Sequence, residues 1–546
     1  MKAPTHRDSD PTDMRRKAVV WCLLAVAFLP LAAPAQQHDA PVRYEDDYLS
    51  AAFHRSRRDV LLRFLPDNAL AVFFSAATRN RSNDVSFEYR QSSDFLYLTG
   101  SEEPGSVLVL APGGIQVDGR TVREVLFVPP RNPSQEVWTG RRFGTERAMQ
   151  ELGLELAVEL PRFDEVVVPL LRDRSRQVHH LEIPDGVASG SDLAEQLQTF
   201  LAHVDPWVLP RSSSARLLAM TLGSGPDFFA RLKEADLQPA SFPDPELRQV
   251  AEAFAAARTY EEWAPRRTAL LAGRSEGSTL RDLLDDLRSM KTEEEMVLLQ
   301  RAIDITADAH RAVMTQVQPG WTEYQVEALI EYTFKREGSE FPGFPSIVGS
   351  GENSVILHYE TNRRTIQPGD VVVVDIGAEY HGYTADITRT IPVGGRYSPE
   401  QRAIYELVYA AQEAGIAASR PGAPFRAPHE AASRVLEEGL ARLGLISGAN
   451  DQAGLRRFFM HGTSHYLGLD VHDVGDGGNL VAGQVITVEP GIYIAAADDI
   501  DPKWWNVGVR IEDDLLITDG DPVILSRGVP RQIDEVEALM RRRPVS

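Results

Sequence analysis

The segment VVVVDIGAEYHGYTADITRT, residues 371–390, limits the possible folds of this chain more than any other. The apolar run Val371–Val374 follows the turn signal Pro368-Gly369 and reads as a strand. A tip near Tyr380, His381 and Gly382 folds the segment back as a β-hairpin. If the fold point lies between residues 380 and 381, Asp375 stands opposite Asp386 on one face, with Cβ atoms roughly 5 Å apart. Like charges so placed repel unless something positive lies between them. A pair of divalent cations, typically about 3.5–4 Å apart, would supply it. The plainer alternative is a different register and two surface aspartates, and the pair alone does not decide between them.

Three further groups join the question. HGTSHYLGLDVHD, residues 461–473, holds His461, His465 and His472 in a glycine-containing, turn-prone stretch. Such a stretch suits a metal ligand plus supporting donors, or else a loop of packed or solvated histidines. VITVEPGIY places Glu489 at the end of a strand that Pro490-Gly491 stops. GVRIEDDLLIT places Glu512 beside Ile511, with Arg510 two residues earlier on the same face and an acidic pair after it. Carboxylates in apolar runs need partners, because burying a bare charge is costly. Glu512 could simply pair with Arg510. Taken together, Asp375, Asp386, His465, Glu489 and Glu512 make a hard, oxygen-dominated set. It suits manganese, with zinc, cobalt or iron as alternatives, and suits neither Cu(I) nor an iron–sulfur cluster.

In this order ILHY around His358, VDIGAEYHGYTADITRT, HGTSHYLGLDVHD, TVEPGIYI and VRIEDD closely resemble aminopeptidase P, the Xaa-Pro aminopeptidase of the pita-bread metallopeptidases. The resemblance runs from about Arg288 to the C-terminus and reaches the N-terminal half through YRQSSDFLYLTG and EVWTGRR. It implies an α+β fold, with a C-terminal pita-bread catalytic domain after a smaller α/β domain. It implies two divalent ions held by Asp375, Asp386, His465, Glu489 and Glu512, with Asp386 and Glu512 bridging both and a hydroxide shared between the ions as nucleophile. It also places His358 near the scissile nitrogen, His472 on the carbonyl oxygen and His461 in a proline pocket, with Arg510 and Tyr493 in support. Glu489 would relay a proton to the leaving nitrogen. The substrates implied are peptides with proline second, and the assembly implied is a homo-oligomer.

Prolidase shares this fold and ligand set but takes only Xaa-Pro dipeptides. Methionine aminopeptidase lacks the large N-terminal domain. Metal-free pita-bread binding proteins lose several ligands, whereas all five stand here. An exported binding protein with an acidic surface would give Asp375 and Asp386 no reason to meet.

Organisation along the chain fits two large domains and a connector. Arg15, Arg16 and Lys17, the apolar run from Ala18 to Ala33 and the motif Ala33-Pro34-Ala35 read as a signal peptide over residues 1–35, with Met14 as an alternative start. Export to the periplasm or medium follows, without stable membrane association after cleavage. Residues 36–205 read as the α/β domain, with strands at Ala69–Phe74, Phe95–Leu98, Val107–Leu110, Val125–Val128 and His180–Ile183. Residues 206–290 read as a helical connector, an addition to the family pattern, and 291–546 as the catalytic domain. There Thr292 with Glu295 makes a capping box, and Thr322 with Gln325 opens a second helix. The formal charge of −22 argues against nucleic acid, whose phosphates need a basic face. The only cysteine, Cys22, lies in the signal run, which excludes a thiolate nucleophile or a cysteine zinc site in the mature chain.

Overall fold

The structure, a computed structural model, describes residues 42–173, 175–181, 193–203, 229–230, 232–233, 238–242, 245–272, 274–448 and 450–541. Residues 1–35, the expected signal segment with Cys22, lie outside these residues. Asp47–Ser546 form one compact unit, and a separate unit ending at Asp46 is described only over residues 42–46.

The run ALAVFF forms the strand Ala69–Phe74, buried at every position. It pairs antiparallel with Val107–Val117 and parallel with Gln177–His180. Arg120–Val128 and Ala157–Glu159 complete a five-stranded mixed sheet. Leu70, Val72, Phe74, Val109 and Phe127 share one core with Phe163 and Phe200 of the helices Phe163–Arg172 and Ala194–His203. Full burial of each such side chain contributes about 1.5–3 kcal/mol. Two strand expectations need correction. Phe95–Leu98 lies in the helix Ser93–Thr99, because a short apolar run fits either period and Gly100 (φ +70°) closes a helix with a left-handed cap. The last strand runs Gln177–His180, and residues 182–183 lie outside the described ones.

The Ala-, Glu- and Leu-rich stretch forms the helices Pro245–Ala256, Tyr260–Ala272 and Arg274–Ser289. The helix Glu293–Gln316 then opens on the capping box. Thr292 Oγ1 accepts from the Glu295 N–H at 3.3 Å, and Glu295 Oε2 accepts from the Thr292 N–H at 2.8 Å. Gln325 Oε1 accepts from the Thr322 N–H at 2.8 Å at the start of Glu323–Arg336. Beyond this point the chain is dominated by short antiparallel sheets covered by helices such as Pro399–Ala418 and Ala427–Arg442. The strand Val371–Ile376 lies between Ile347–Ser350 and Ile387–Pro392 and is buried throughout, which accounts for its four valines. A second sheet joins Val485–Val488, Asp513–Leu516 and Val523–Ile524, and a ribbon pairs Gly491–Ile494 with Val507–Arg510.

The hairpin register differs from expectation. Tyr380 pairs with Tyr383, which leaves His381 (φ +48°) and Gly382 (φ +87°) as a two-residue turn. Positive φ at both positions is the type I′ geometry that matches strand twist. The fold point therefore moves one residue along, and Asp375 stands opposite Thr388 rather than Asp386. Regular pairing is interrupted around Gly377, where a Cβ would lie 1.8 Å from the Ala385 carbonyl oxygen. Asp386 follows on the returning arm, ahead of the strand Ile387–Pro392.

Candidate active site

One cavity of about 400 Å³ is lined by His358, Asp375, Asp386, His461, His465, His472, Glu489, Arg510 and Glu512. These nine residues thus meet in one place, across more than 150 positions of chain, and Tyr493 stands behind them, bonded to His461 and Arg510. A larger open groove, about 870 Å³, runs past Met296 and Ile517, and its lining contains no histidine and none of these carboxylates.

Main-chain pairing sets the imidazole among the acids. The Thr487 N–H donates to the His465 carbonyl at 2.9 Å, and the Glu489 N–H donates to that of Thr463 at 2.8 Å. The segment around His465 therefore lies alongside the strand that ends at Glu489. His465 Nδ1 lies 2.9 Å from the Tyr466 carbonyl, so Nδ1 carries the proton and Nε2 faces the carboxylates. Nε2 stands 3.3 Å from Asp386 Oδ2 and 3.8 Å from both Glu489 Oε1 and Glu512 Oε1. Ligand atoms of Asp386, His465 and Glu512 lie within 4.8 Å of one another.

Arg510 does not pair with Glu512. Its Nη2 donates to Asp375 Oδ2 at 2.6 Å and its Nη1 to the Tyr493 hydroxyl at 2.9 Å. Glu512 instead accepts from the Thr388 hydroxyl at 2.7 Å. The Tyr493 oxygen lies 2.8 Å from His461 Nε2, and His461 Nδ1 lies 3.6 Å from Glu489. The His472 ring packs 4.4 Å from that of His465.

The electrostatics are those of a site short of positive charge. Burial, then the charge of Glu512, pushes Asp386 well above the carboxylate range. Burial and Glu512 push Glu489 up to about 8. Burial likewise raises Glu512 and Asp514. Burial opposes protonation of His465, yet Asp386, Glu512 and Glu489 outweigh it and raise its pKa. Burial lowers His461, helped by the Arg510 charge, and burial also lowers His472. Asp375 Oδ1 is a buried acceptor with no hydrogen-bond partner among the described residues. Four carboxylates, one of them Asp375 with its unsatisfied oxygen, and one imidazole fit hard divalent cations.

Supporting residues behind the site were missed from the sequence. Thr388 holds both Glu512 and Arg510 Nε, at 2.7 and 3.2 Å. Arg389, fully buried, donates to the Glu512 carbonyl and to Asp513. Asp514 Oδ2 accepts from the Asp386 N–H at 3.3 Å. The acidic pair after Glu512 was visible, but nothing local showed which of the two would be paired.

Comparison with known proteins defines the class. The family model for metallopeptidase family M24 matches residues 297–519, and that for the aminopeptidase P N-terminal domain matches residues 54–179. These two domains, with the acid-and-imidazole cavity in the second, make the chain a metallopeptidase that uses divalent metal ions. The Xaa-Pro aminopeptidase of Escherichia coli K12 is 34% identical over 493 residues, which cover 89% of this chain and 96% of that protein. The Xaa-Pro aminopeptidase of Haemophilus influenzae is 33% identical, with the same coverage. Pseudomonas aeruginosa aminopeptidase PepP superposes with a TM-score of 0.69 at 32% identity, covering 91% of this chain and 99% of that one. Aminopeptidase P from Escherichia coli with the inhibitor Pro-Leu gives 0.69 at 32%, covering 90% and 98%. The chain belongs to the aminopeptidase P family, with its pita-bread catalytic domain and smaller α/β N-terminal domain.

Proposed function

We propose that this protein is an exported Xaa-Pro aminopeptidase, which hydrolyses the first peptide bond of chains whose second residue is proline. The observation that carries the proposal is the shared cavity, in which nine chemically apt side chains converge and negative charge is in excess. Asp375, Asp386, His465, Glu489 and Glu512 would hold two divalent ions, manganese first among the candidates. Ions held there would polarise the scissile carbonyl and make hydroxide available near neutral pH.

The chain's own groups supply the rest. Arg510 fixes Asp375 through the 2.6 Å bond and, through Tyr493, fixes His461. His461 lies edge-on to Phe459 with ring centres 5.0 Å apart and is held by Tyr493, so these two buried rings fix the His461 ring as one wall of the cavity against which a proline ring packs. An Xaa-Pro bond has no N–H and a fixed ring, so shape must do what hydrogen bonding does for other peptides. His472 at the cavity wall donates to the carbonyl oxygen as it gains charge. Glu489, between His461 and His465, passes a proton towards the proline nitrogen, with His358 on the nitrogen's side of the cavity. Export is supported by the basic segment and the Ala33-Pro34-Ala35 motif. Among the described residues no helix is long and apolar enough to cross a membrane. A homo-oligomer is the assembly proposed on family grounds.

Prolidase is the second reading, since the same cavity would serve it. Protein isolated from the periplasm or medium, its first residue expected to be Gln36 and read by amino-terminal sequencing, is offered Xaa-Pro-Yaa peptides of several lengths beside an Xaa-Pro dipeptide. Preference for the longer peptides is expected. Cleavage of the dipeptide alone would make it a prolidase, and cleavage of none would defeat the enzyme proposal. An unprocessed amino terminus would defeat the export proposal.

A further inference from the structure

We propose that Arg288 and Asp470 are positioning residues for His472, which they hold through the loop Gly468–Asp473 and tie to the N-terminal domain. The inference rests on the aminopeptidase reading, because it concerns the aim of His472 at the reacting carbonyl.

Two aspartates flank His472 in the sequence LDVHD, and neither faces the cavity. Arg288, 2% exposed, reaches both from outside the loop. Its Nη2 donates to Asp470 Oδ2 and to Asp473 Oδ1, each at 2.6 Å. Its Nη1 donates to Asp94 Oδ1 of the N-terminal domain at 2.7 Å. Lys291 Nζ holds the other oxygen of Asp473 at 2.8 Å, and the Ser93 hydroxyl donates to the other oxygen of Asp470 at 2.7 Å. Arg90, also from the N-terminal domain, donates to the Leu469 carbonyl at 2.7 Å while its Nε grips Glu379. The Asp473 N–H donates to the Tyr466 carbonyl at 2.9 Å and closes the loop. A Cβ at Gly468 would lie 2.1 Å from Asp473 Oδ2, so the glycine admits the carboxylate to its place under the loop.

His472 itself has little else to fix it. Its ring packs on His465, and its side chain makes no hydrogen bond to any of the described residues. Its direction is therefore inherited from the backbone, whose flanking side chains Asp470 and Asp473 are both bonded to one buried guanidinium. A donor aimed at a developing oxyanion must be right to a fraction of an ångström, and misplacement by about 1 Å can cost roughly a hundredfold in rate. The helix Ser93–Thr99 thereby gains a part in catalysis, although nothing in it touches the cavity.

The test is a double-mutant cycle in the metal-loaded full-length enzyme, read as kcat and KM on an Xaa-Pro-Yaa tripeptide. Asp470→Ala is expected to lower kcat by roughly ten- to a hundredfold with KM within about twofold. In a His472→Ala background the same change should have no further effect on kcat. Ser93→Ala, which removes one bond and no charge, should give a smaller fall that also vanishes in that background. Arg288→Lys should recover more kcat than Arg288→Met. An equal loss in both backgrounds, or no loss from Asp470→Ala or Ser93→Ala, would overturn the inference. An inactive wild type would defeat the aminopeptidase reading instead. Amide exchange over 466–473 separates the two cases, since it should quicken in Asp470→Ala whether or not peptide is cleaved. Unchanged exchange would also overturn the inference.

Discussion

Arg288 and Arg510 are both buried arginines bonded to carboxylates, yet their surroundings differ in charge. Around Arg288 the anions Asp94, Asp470 and Asp473 are met by Arg288, Arg281 and Lys291, all within 2.8 Å. Burial pushes Asp470 upward, but the Arg288 charge overrides it and holds the carboxyl below the usual range. Around Arg510 only Asp375 is paired by a guanidinium, and Asp386, Glu489 and Glu512 share the single imidazole of His465 at 3.3–3.8 Å. Burial pushes Asp386, Glu489, Glu512 and Asp514 upward, and a neighbouring carboxylate adds to it, Asp375 for Glu512 and Glu512 for the other three. A balanced cluster holds parts of the protein together. An unbalanced one is arranged for charges that arrive from outside, and metal ions are what this donor set accepts.

The sharpest way to break this comparison is to remove an acid from the unbalanced side. Asp386→Asn or Glu512→Gln should lower turnover of an Xaa-Pro peptide by about a thousandfold or more, as loss of a metal-holding carboxylate would. Exhaustive chelation of the wild type should do the same, with manganese restoring activity. Manganese should also raise the melting temperature, since saturation at about 100 Kd contributes about 2.7 kcal/mol. Near-normal rates after chelation, or in either variant, would mean that the excess charge serves something other than metal.

Opposite effects on stability should follow in the metal-free protein. Asp473→Asn removes an anion that Arg288 and Lys291 share, and breaking such a buried pair costs about 3–5 kcal/mol. Asp386→Asn relieves crowding among like charges and should stabilise by on the order of 1 kcal/mol, the free energy of one pKa unit. Calorimetry in the presence of a chelator reads both. A fall in melting temperature for both variants would show that the two clusters are alike in kind.

The contrast also marks how far the sequence could be read. The capping boxes at Thr292 and Thr322 and the strands Val371–Ile376 and Val485–Val488 follow from local pattern, and they are present. The nine cavity residues stood in short, chemically loaded motifs, so they could be named without knowing how the chain folds. The hairpin register could not, because it depended on whether His381 would take a positive φ. The partner of Arg510 was left open for a similar reason. Two residues of spacing allowed Glu512 as a partner, but Asp375 arrives from 135 positions away. The Arg288 cluster joins positions 182 to 194 apart and leaves no local periodicity to detect. The helix Ser93–Thr99 was hidden because four apolar residues fit a buried strand as well as one helical turn.

A third charge cluster gives the smallest effect and stands between the other two. His381, at the hairpin tip, has Nδ1 2.7 Å from Glu340 and Nε2 3.1 Å from Asp47, with Tyr48 stacked on its ring at 3.9 Å. Glu102 contributes a third nearby carboxylate, and the Tyr380 hydroxyl donates to Asp47 at 2.7 Å. Burial alone would lower the His381 pKa from its ordinary 6.5, but the bonds and charges of Glu340 and Asp47 outweigh burial and raise it. A histidine whose folded pKa is raised stabilises the fold fully below pH 6.5, and that contribution disappears as pH climbs through the folded value. Because Asp47 and Glu340 are partly exposed, the contribution is about 1 kcal/mol or less. The melting temperature should therefore fall slightly more from pH 6 to pH 8.5 in the wild type than in His381→Gln. Identical slopes would mean that the imidazole is neutral throughout and that the tip is held by the Tyr48 stack and neutral hydrogen bonds. A steeper slope in His381→Gln would reverse the sign assigned to this group.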